Sequence, residues 1–189
     1  MVEVTPPAEA QVPIRVEVPG AELARGSPTS SAPRPSRSAQ DLLAHVLAVW
    51  FGCGHLPAPG TMGTLGAIPL YLAVRGRGPR IVAAVAVVTT IVGIWAAERV
   101  ARRLGKKDPQ IICIDEVAGV FITWIAAPST TVGLVAGVVL FRIFDQWKPW
   151  PARLAERRLP GGFGIVLDDA FAGLWGAAVL AGARAFGLL

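Results

Sequence analysis

Apolar residues run in long blocks along this chain, separated by short polar or Gly/Pro-rich segments. After Asp41, which reads as a helix N-cap, "LLAHVLAVWF" predicts a helix too short to span a bilayer and suited to its interface. "GCGHLPAPGTMG" predicts an irregular loop, and Thr64–Val74 a second short helix. "RGRGPR" predicts a turn. Ile81–Ala97 is apolar throughout and about as long as a hydrocarbon core requires. Beyond the polar loop "ERVARRLGKKDPQ", Ile111–Ala127 is apolar except for Asp115 and Glu116. "PST" predicts a tight turn. Thr131–Phe144 is apolar until Arg142 and closes at Asp145. The basic loop "QWKPWPARLAERRLPGGFG" leads into a last helix from about Ile165, with Asp168 and Asp169 in its first turn.

Period-two alternation is absent and alanine is frequent, so the pattern is all-α rather than β. It predicts a polytopic membrane helix bundle of about four spanning helices, with further short or re-entrant ones. Small residues at Gly133/Gly137, Ala172/Gly176 and Ala178/Gly182 allow close helix–helix approach in lipid. Residues 1–40 differ in kind. They are rich in Pro, Ser and Ala, lack the basic-then-apolar order of a signal peptide, and predict a disordered tail. Residues 41–189 then form the membrane-embedded domain.

Composition agrees with this division. The chain is 53% hydrophobic and 16% charged, against about 25% charged for a soluble domain. Its net charge of +5 belongs to loops flanking apolar helices, and no aromatic–basic platform for nucleic acid is present. The two cysteines, Cys53 and Cys113, and the two histidines, His45 and His55, lack metal-site spacing. The loop with Arg99, Arg102, Arg103, Lys106 and Lys107 and the segment with Lys148, Arg153, Arg157 and Arg158 are both predicted to be cytoplasmic. Arg75, Arg77 and Arg80 fall on the other side and run against that rule.

This topology brings Asp115, Glu116, Asp145, Asp168 and Asp169 to one end of the bundle. Ionisable groups in spans cost about 2.5–3.5 kcal/mol each at mid-helix on insertion scales, and gathered carboxylates also repel one another. A cation relieves both penalties. An all-oxygen donor set without Cys or His suits a hard ion, Mg²⁺ above all. Arg142 and Lys148 nearby suit a phosphate. Thr61, Gly63 and Thr64 of "PGTMGT" add donors at a helix start. Together these features predict a phosphorylated lipid as substrate.

The blocks "PGTMGT" (59–64), "DE" followed by "VAG" (115–119), "FRIFDQWKPWP" (141–151) and "GGFGIVLDD" (161–169) resemble bacterial phosphatidylglycerophosphatase A in order and spacing. Cys53 and Ala58 stand where that family often has Ser. The resemblance implies an inner-membrane enzyme with its active site facing the cytoplasm. It implies Mg²⁺-dependent hydrolysis of phosphatidylglycerophosphate to phosphatidylglycerol and phosphate. Asp115, Glu116, Asp145, Asp168 and Asp169 would then be the catalytic and metal-binding residues, and Thr61, Gly63, Thr64, Arg142 and Lys148 would bind substrate. Two rivals predict other patterns. A CDP-alcohol phosphotransferase needs a DG-x₂-AR acid motif, which is absent. A cation transporter places its acids along a path near the midplane, whereas these are predicted to gather at one end.

Overall fold

The computed structural model describes residues 38–189, and the predicted tail lies outside the described residues except at its edge. There the helical chain starts earlier than expected. Ser38, not Asp41, is the N-cap of α1 (Ala39–Ala48). Its hydroxyl accepts from the Asp41 N–H while the Asp41 carboxylate accepts from the Ser38 N–H, a reciprocal capping box. These hydrogen bonds hold the Asp41 carboxyl below its ordinary pKa.

All regular structure among the described residues is helical. A 3₁₀ stretch, Trp50–His55, follows α1; then come α2 (Pro59–Gly66), α3 (Ile68–Val74) and a 3₁₀ turn at Arg75–Arg77. The segment expected to be an irregular loop is therefore largely helical, and α2 takes up all of "PGTMGT". Pro59 opens α2, where a missing N–H does no harm. The later helices are α4 (Pro79–Leu104), α5 (Ile114–Trp124), α6 (Thr131–Trp147), α7 (Ala152–Arg158) and α8 (Gly161–Ala185).

Among the described residues, two helices, α4 with 26 residues and α8 with 25, are long and apolar enough to cross a membrane. α6 has 17 residues and α5 has 11. α5 is shorter than its apolar block because residues 111–113 are drawn out of the helix. The Cys113 N–H donates to the Ala48 carbonyl at 2.9 Å, tying this stretch to the end of α1. α6 shows the outward face expected of a helix in lipid. Val132, Val135, Val139 and Ile143 recur at helical spacing and are exposed, while Gly133, Gly137 and Phe141 face inward. On α4, Ile81, Val87, Val88 and Ile91 are likewise exposed.

Inside, α5 packs against α8 and α4. Small residues set the spacing: a Cβ on Gly119 would lie 2.7 Å from the Asp169 carbonyl oxygen, and one on Gly173 would meet the Gly119 backbone. An aromatic cluster joins α3, α5 and α6. Tyr71 stacks on Trp124 at 4.2 Å, Phe121 meets Trp124 edge-on at 5.4 Å, and Phe141 is fully buried beside them. Contacts between turns sort the two ends of the bundle. Lys107, in the loop after α4, donates to the Glu156 carbonyl of α7, so the two basic segments meet. At the opposite end the Ser129 hydroxyl of the "PST" turn donates to the Arg75 carbonyl.

Candidate metal and phosphate site

The carboxylates converge as the topology requires. Asp115 and Glu116 stand in the first turn of α5. Asp145 lies in the last turn of α6, and Lys148 follows it as a left-handed C-cap (φ 46°). α8 begins at Gly161, earlier than expected, which moves Asp168 and Asp169 from the first turn to the third, roughly 11 Å along the helix. They remain level with α5 because α8 starts well beyond the α5 end. Both are buried, with exposures of 6% and 4%.

Carboxylate oxygens of Asp115, Glu116 and Asp169 all lie within 4.8 Å of one another. No ion pair with Lys or Arg serves any of these three among the described residues. Asp115 Oδ1 and Glu116 Oε2 are buried without a hydrogen-bond partner. Buried anions in that state are expensive, and an oxygen-only cluster of this size fits a divalent cation. The other two acids each have a cation. Lys148 Nζ donates to Asp168 Oδ2 at 2.6 Å and lies 3.4 Å from Glu156. Arg142 Nη1 lies 2.8 Å from Asp145 Oδ2, a close ion pair without hydrogen-bond alignment. Asp168 Oδ1 is left without a partner. Burial works against the Lys148 charge, but the Asp168 hydrogen bond and the charges of Asp168, Asp169 and Glu156 outweigh it. They raise the pKa above the ordinary lysine value, so the ammonium keeps its proton at any physiological pH.

α2 brings its N-terminus to this cluster. A Cβ on Gly60 would strike the Glu116 carboxylate and lie 3.2 Å from Arg142 Nη1. Glycine lets both side chains come this close; a larger residue there would push them aside. α2 has no side-chain cap, which leaves its first N–H groups, those of Gly60 and Thr61, near Glu116 and Arg142. Gly63 packs against Cys113, where a Cβ would lie 2.6 Å from the carbonyl oxygen. The Thr64 hydroxyl is buried and donates to the Gly60 carbonyl at 3.0 Å. Gly63 thus seats α2 against the start of α5, Thr64 is buried within α2, and Thr61 stays half-exposed in the first turn.

Three neighbours of the site escape a sequence reading. Gly60 carries no signal that sets it apart from the rest of "PGTMGT". Glu156 sits in a basic run and reads as a solvated charge. Glu98 of α4 accepts from the Gly162 N–H at 2.5 Å and so caps α8 from another helix. The one local signal for that cap is negative: "PGG" before α8 supplies no capping side chain.

The family profile of phosphatidylglycerophosphatase A matches residues 46–184. The chain belongs to that family. A phosphatidylglycerophosphatase A of Escherichia coli is 40% identical over 138 residues, 72% of this chain and 80% of the relative. One from Haemophilus influenzae is 36% identical over 139 residues, 72% of this chain and 85% of the relative. A protein of Bacteroides thetaiotaomicron, provisionally named a phosphatidylinositol-3-phosphatase, is 36% identical over 148 residues, 74% of this chain and 92% of the relative. No solved structure matches the chain. Family membership makes the protein an enzyme of the phosphatase class, and the matched span contains every residue of the cluster.

Proposed function

We propose that this protein is a Mg²⁺-dependent phosphomonoesterase that hydrolyses phosphatidylglycerophosphate to phosphatidylglycerol and inorganic phosphate. The observation that carries the reading is the unpaired oxygen cluster of Asp115, Glu116 and Asp169, in a chain whose relatives carry that activity in their names. These three residues would hold the ion, with Asp145 and Asp168 completing the acidic ring. When bound, the ion supplies positive charge for phosphate oxygens and Lewis acidity for the hydrolytic step.

The chain's own groups account for the rest. Arg142 and Lys148 offset charge on the phosphate oxygens, aided by the N–H groups at the start of α2, Thr61 among them. Gly63 and Thr64 hold that helix start in place. Asp168 is the candidate base. Lys148 donates to its Oδ2, which leaves Oδ1 without a partner and open to take a proton from the attacking water. Water oxygen bonds to phosphorus as the phosphorus–glycerol oxygen bond breaks. The leaving glycerol oxygen takes a proton, so one water is consumed per phosphate released.

The same reading places the protein in the bacterial inner membrane with the acid cluster at the cytoplasmic end, where the two basic segments meet. α4 and α8 cross the bilayer. α6 and the shorter α5, joined by the "PST" turn, form the other two limbs of a four-limbed bundle.

The deciding experiment measures phosphate release by the purified full-length protein from phosphatidylglycerophosphate in mixed micelles, with Mg²⁺ and after chelation. Release that requires the ion is expected. Absence of release from every phospholipid phosphomonoester would end the functional reading. Release surviving unchanged in Asp169→Asn would end the site assignment.

A further inference from the structure

An open cavity of about 480 Å³ lies beside the acidic cluster, between α7 and the Trp147–Trp150 segment. Lys148, Arg153 and Arg157 line it with Trp147 and Trp150, and no acidic residue does. Lys148 belongs to both places, because its ammonium reaches Asp168 at 2.6 Å. Arg153 gives one hydrogen bond to the Trp147 carbonyl at 3.3 Å. Arg157 has no ion pair or hydrogen bond among the described residues. The indoles of Trp147 and Trp150 are 65% and 75% exposed, which is unusual for side chains of that size.

The aromatic wall is held at the Trp147 ring and at the Trp150 backbone. Trp147 stacks on Phe144 at 6.3 Å, and Phe144 on Trp175 of α8 at 6.1 Å. The Trp175 indole N–H in turn donates to the Trp150 carbonyl at 3.1 Å. The cavity thus combines two exposed indoles, which favour the boundary between lipid and water, with guanidinium groups that have donors to spare. That combination suits a ligand that is apolar at one end and anionic at the other.

We propose that this cavity binds the phosphodiester of an anionic phospholipid, with Arg153 and Arg157 on its oxygens and Trp147 and Trp150 against its glycerol–acyl boundary. The proposal rests on the reading of the acidic cluster as the place where a terminal phosphomonoester is cleaved. A lipid carrying both groups has its diester one glycerol unit back from the monoester. The cavity adjoins the cluster through Lys148, which lines the one and reaches Asp168 of the other. The cavity is then a specificity site: a phosphomonoester that has no diester leaves it unfilled.

The test reads binding before turnover. Short-chain phosphatidylglycerol, which has the diester and no monoester, is titrated onto the full-length protein in zwitterionic micelles, followed by tryptophan fluorescence. Inorganic phosphate is titrated separately. The double variant Arg153→Gln/Arg157→Gln is compared with the wild type and with Arg158→Gln, which alters an exposed arginine of α7 outside the cavity. The double variant is expected to bind the diester lipid about tenfold more weakly, as loss of charge-assisted hydrogen bonds predicts. Its affinity for inorganic phosphate and that of Arg158→Gln for the lipid stay unchanged. Unaltered lipid affinity in the double variant overturns the proposal. So does an equal loss for inorganic phosphate, which would reveal a general charge effect. In turnover, the double variant's KM for phosphatidylglycerophosphate rises about tenfold at unchanged kcat. A protein that hydrolyses no phospholipid yet shows the selective loss of lipid binding refutes the proposed function and leaves this site standing.

Discussion

Asp168 and Asp169 are adjacent on one helix, equally buried, and differently served. Asp168 turns toward the segment after α6, where Lys148 meets it at 2.6 Å. Asp169 turns toward α5, where its neighbours are Asp115 and Glu116 and no cation of the chain. Successive residues on a helix point about 100° apart, so one step in sequence carries a carboxylate from a compensated place to an uncompensated one. The wider cluster divides the same way. Asp145 has Arg142, as Asp168 has Lys148, whereas none of the three acids between α5 and α8 is paired with a Lys or Arg among the described residues. The chain pairs one half of its acidic ring with its own cations and leaves the other half without one, an arrangement that suits a divalent ion. On the proposed reading, base chemistry falls to the first half and metal binding to the second.

The sharpest way to break this comparison is to neutralise each member of the pair in turn. Asp169→Asn is expected to lower phosphate release at least 100-fold, since even the supporting partners of metal ligands are worth about 10–100-fold. It should also abolish the response of the protein's melting temperature to added Mg²⁺. Asp168→Asn should lower turnover while leaving that thermal response in place. If both variants lose the response alike, the division of the ring is wrong.

The next effect in size comes from Lys148→Met, which strands a buried Asp168. Breaking a fully buried pair costs about 3–5 kcal/mol, and because Lys148 is 26% exposed a loss of about 2 kcal/mol is expected. Adding Asp168→Asn should restore most of the stability without restoring activity. A double-mutant cycle by chemical denaturation in micelles checks this, and additive effects would show that the pair is incidental. Gly119→Ala probes the other half through packing. A methyl there meets the Phe141 ring and lies 2.7 Å from the Asp169 carbonyl oxygen, so α5 must move away from α8. Overpacking of this kind costs about 1–3 kcal/mol. Mg²⁺ affinity should weaken with it, because Asp115, Glu116 and Asp169 come from the two helices being parted.

Much of this was legible in the sequence, for identifiable reasons. The length of the apolar blocks at Ile81–Ala97 and after Ile165 reports two membrane-length helices, because composition alone decides which segments avoid water. The positions of Asp115, Glu116, Asp145, Asp168 and Asp169 in otherwise apolar blocks report the cluster, because a charge there needs a reason. Helix ends were less legible. α5 loses residues 111–113 to a hydrogen bond with Ala48, a partner far away in sequence. α8 gains residues 161–164 although "PGGFG" looks like a loop, because the helix is capped by Glu98 from α4. Division of the ring into served and unserved acids was not legible at all. It depends on which way adjacent side chains turn, and that follows from the start of α8.

That start is the subject of the smallest effect. Gly161 has φ +56° and Gly162 passes close to the Ile94 and Glu98 backbones, so both glycines let α8 reach the Glu98 carboxylate. The carboxylate also pairs with Arg102 at 2.5 Å, which fixes its direction. Removing a helix cap costs about 1 kcal/mol, so Glu98→Ala is expected to lower stability by about that amount. Glu98→Gln keeps an acceptor oxygen for the Gly162 N–H and loses only the charge at the helix start, worth about 0.3–1 kcal/mol. The decisive readout is the division of effects between the paired acids. If the cap sets the depth of α8, Glu98→Ala should weaken Mg²⁺ affinity and lengthen the Lys148–Asp168 contact together, because both acids ride on the same helix, and Glu98→Gln should recover both. Loss of stability with Mg²⁺ affinity unchanged would mean that α5, through Gly119 and Gly173, holds the register of α8 without help from its end.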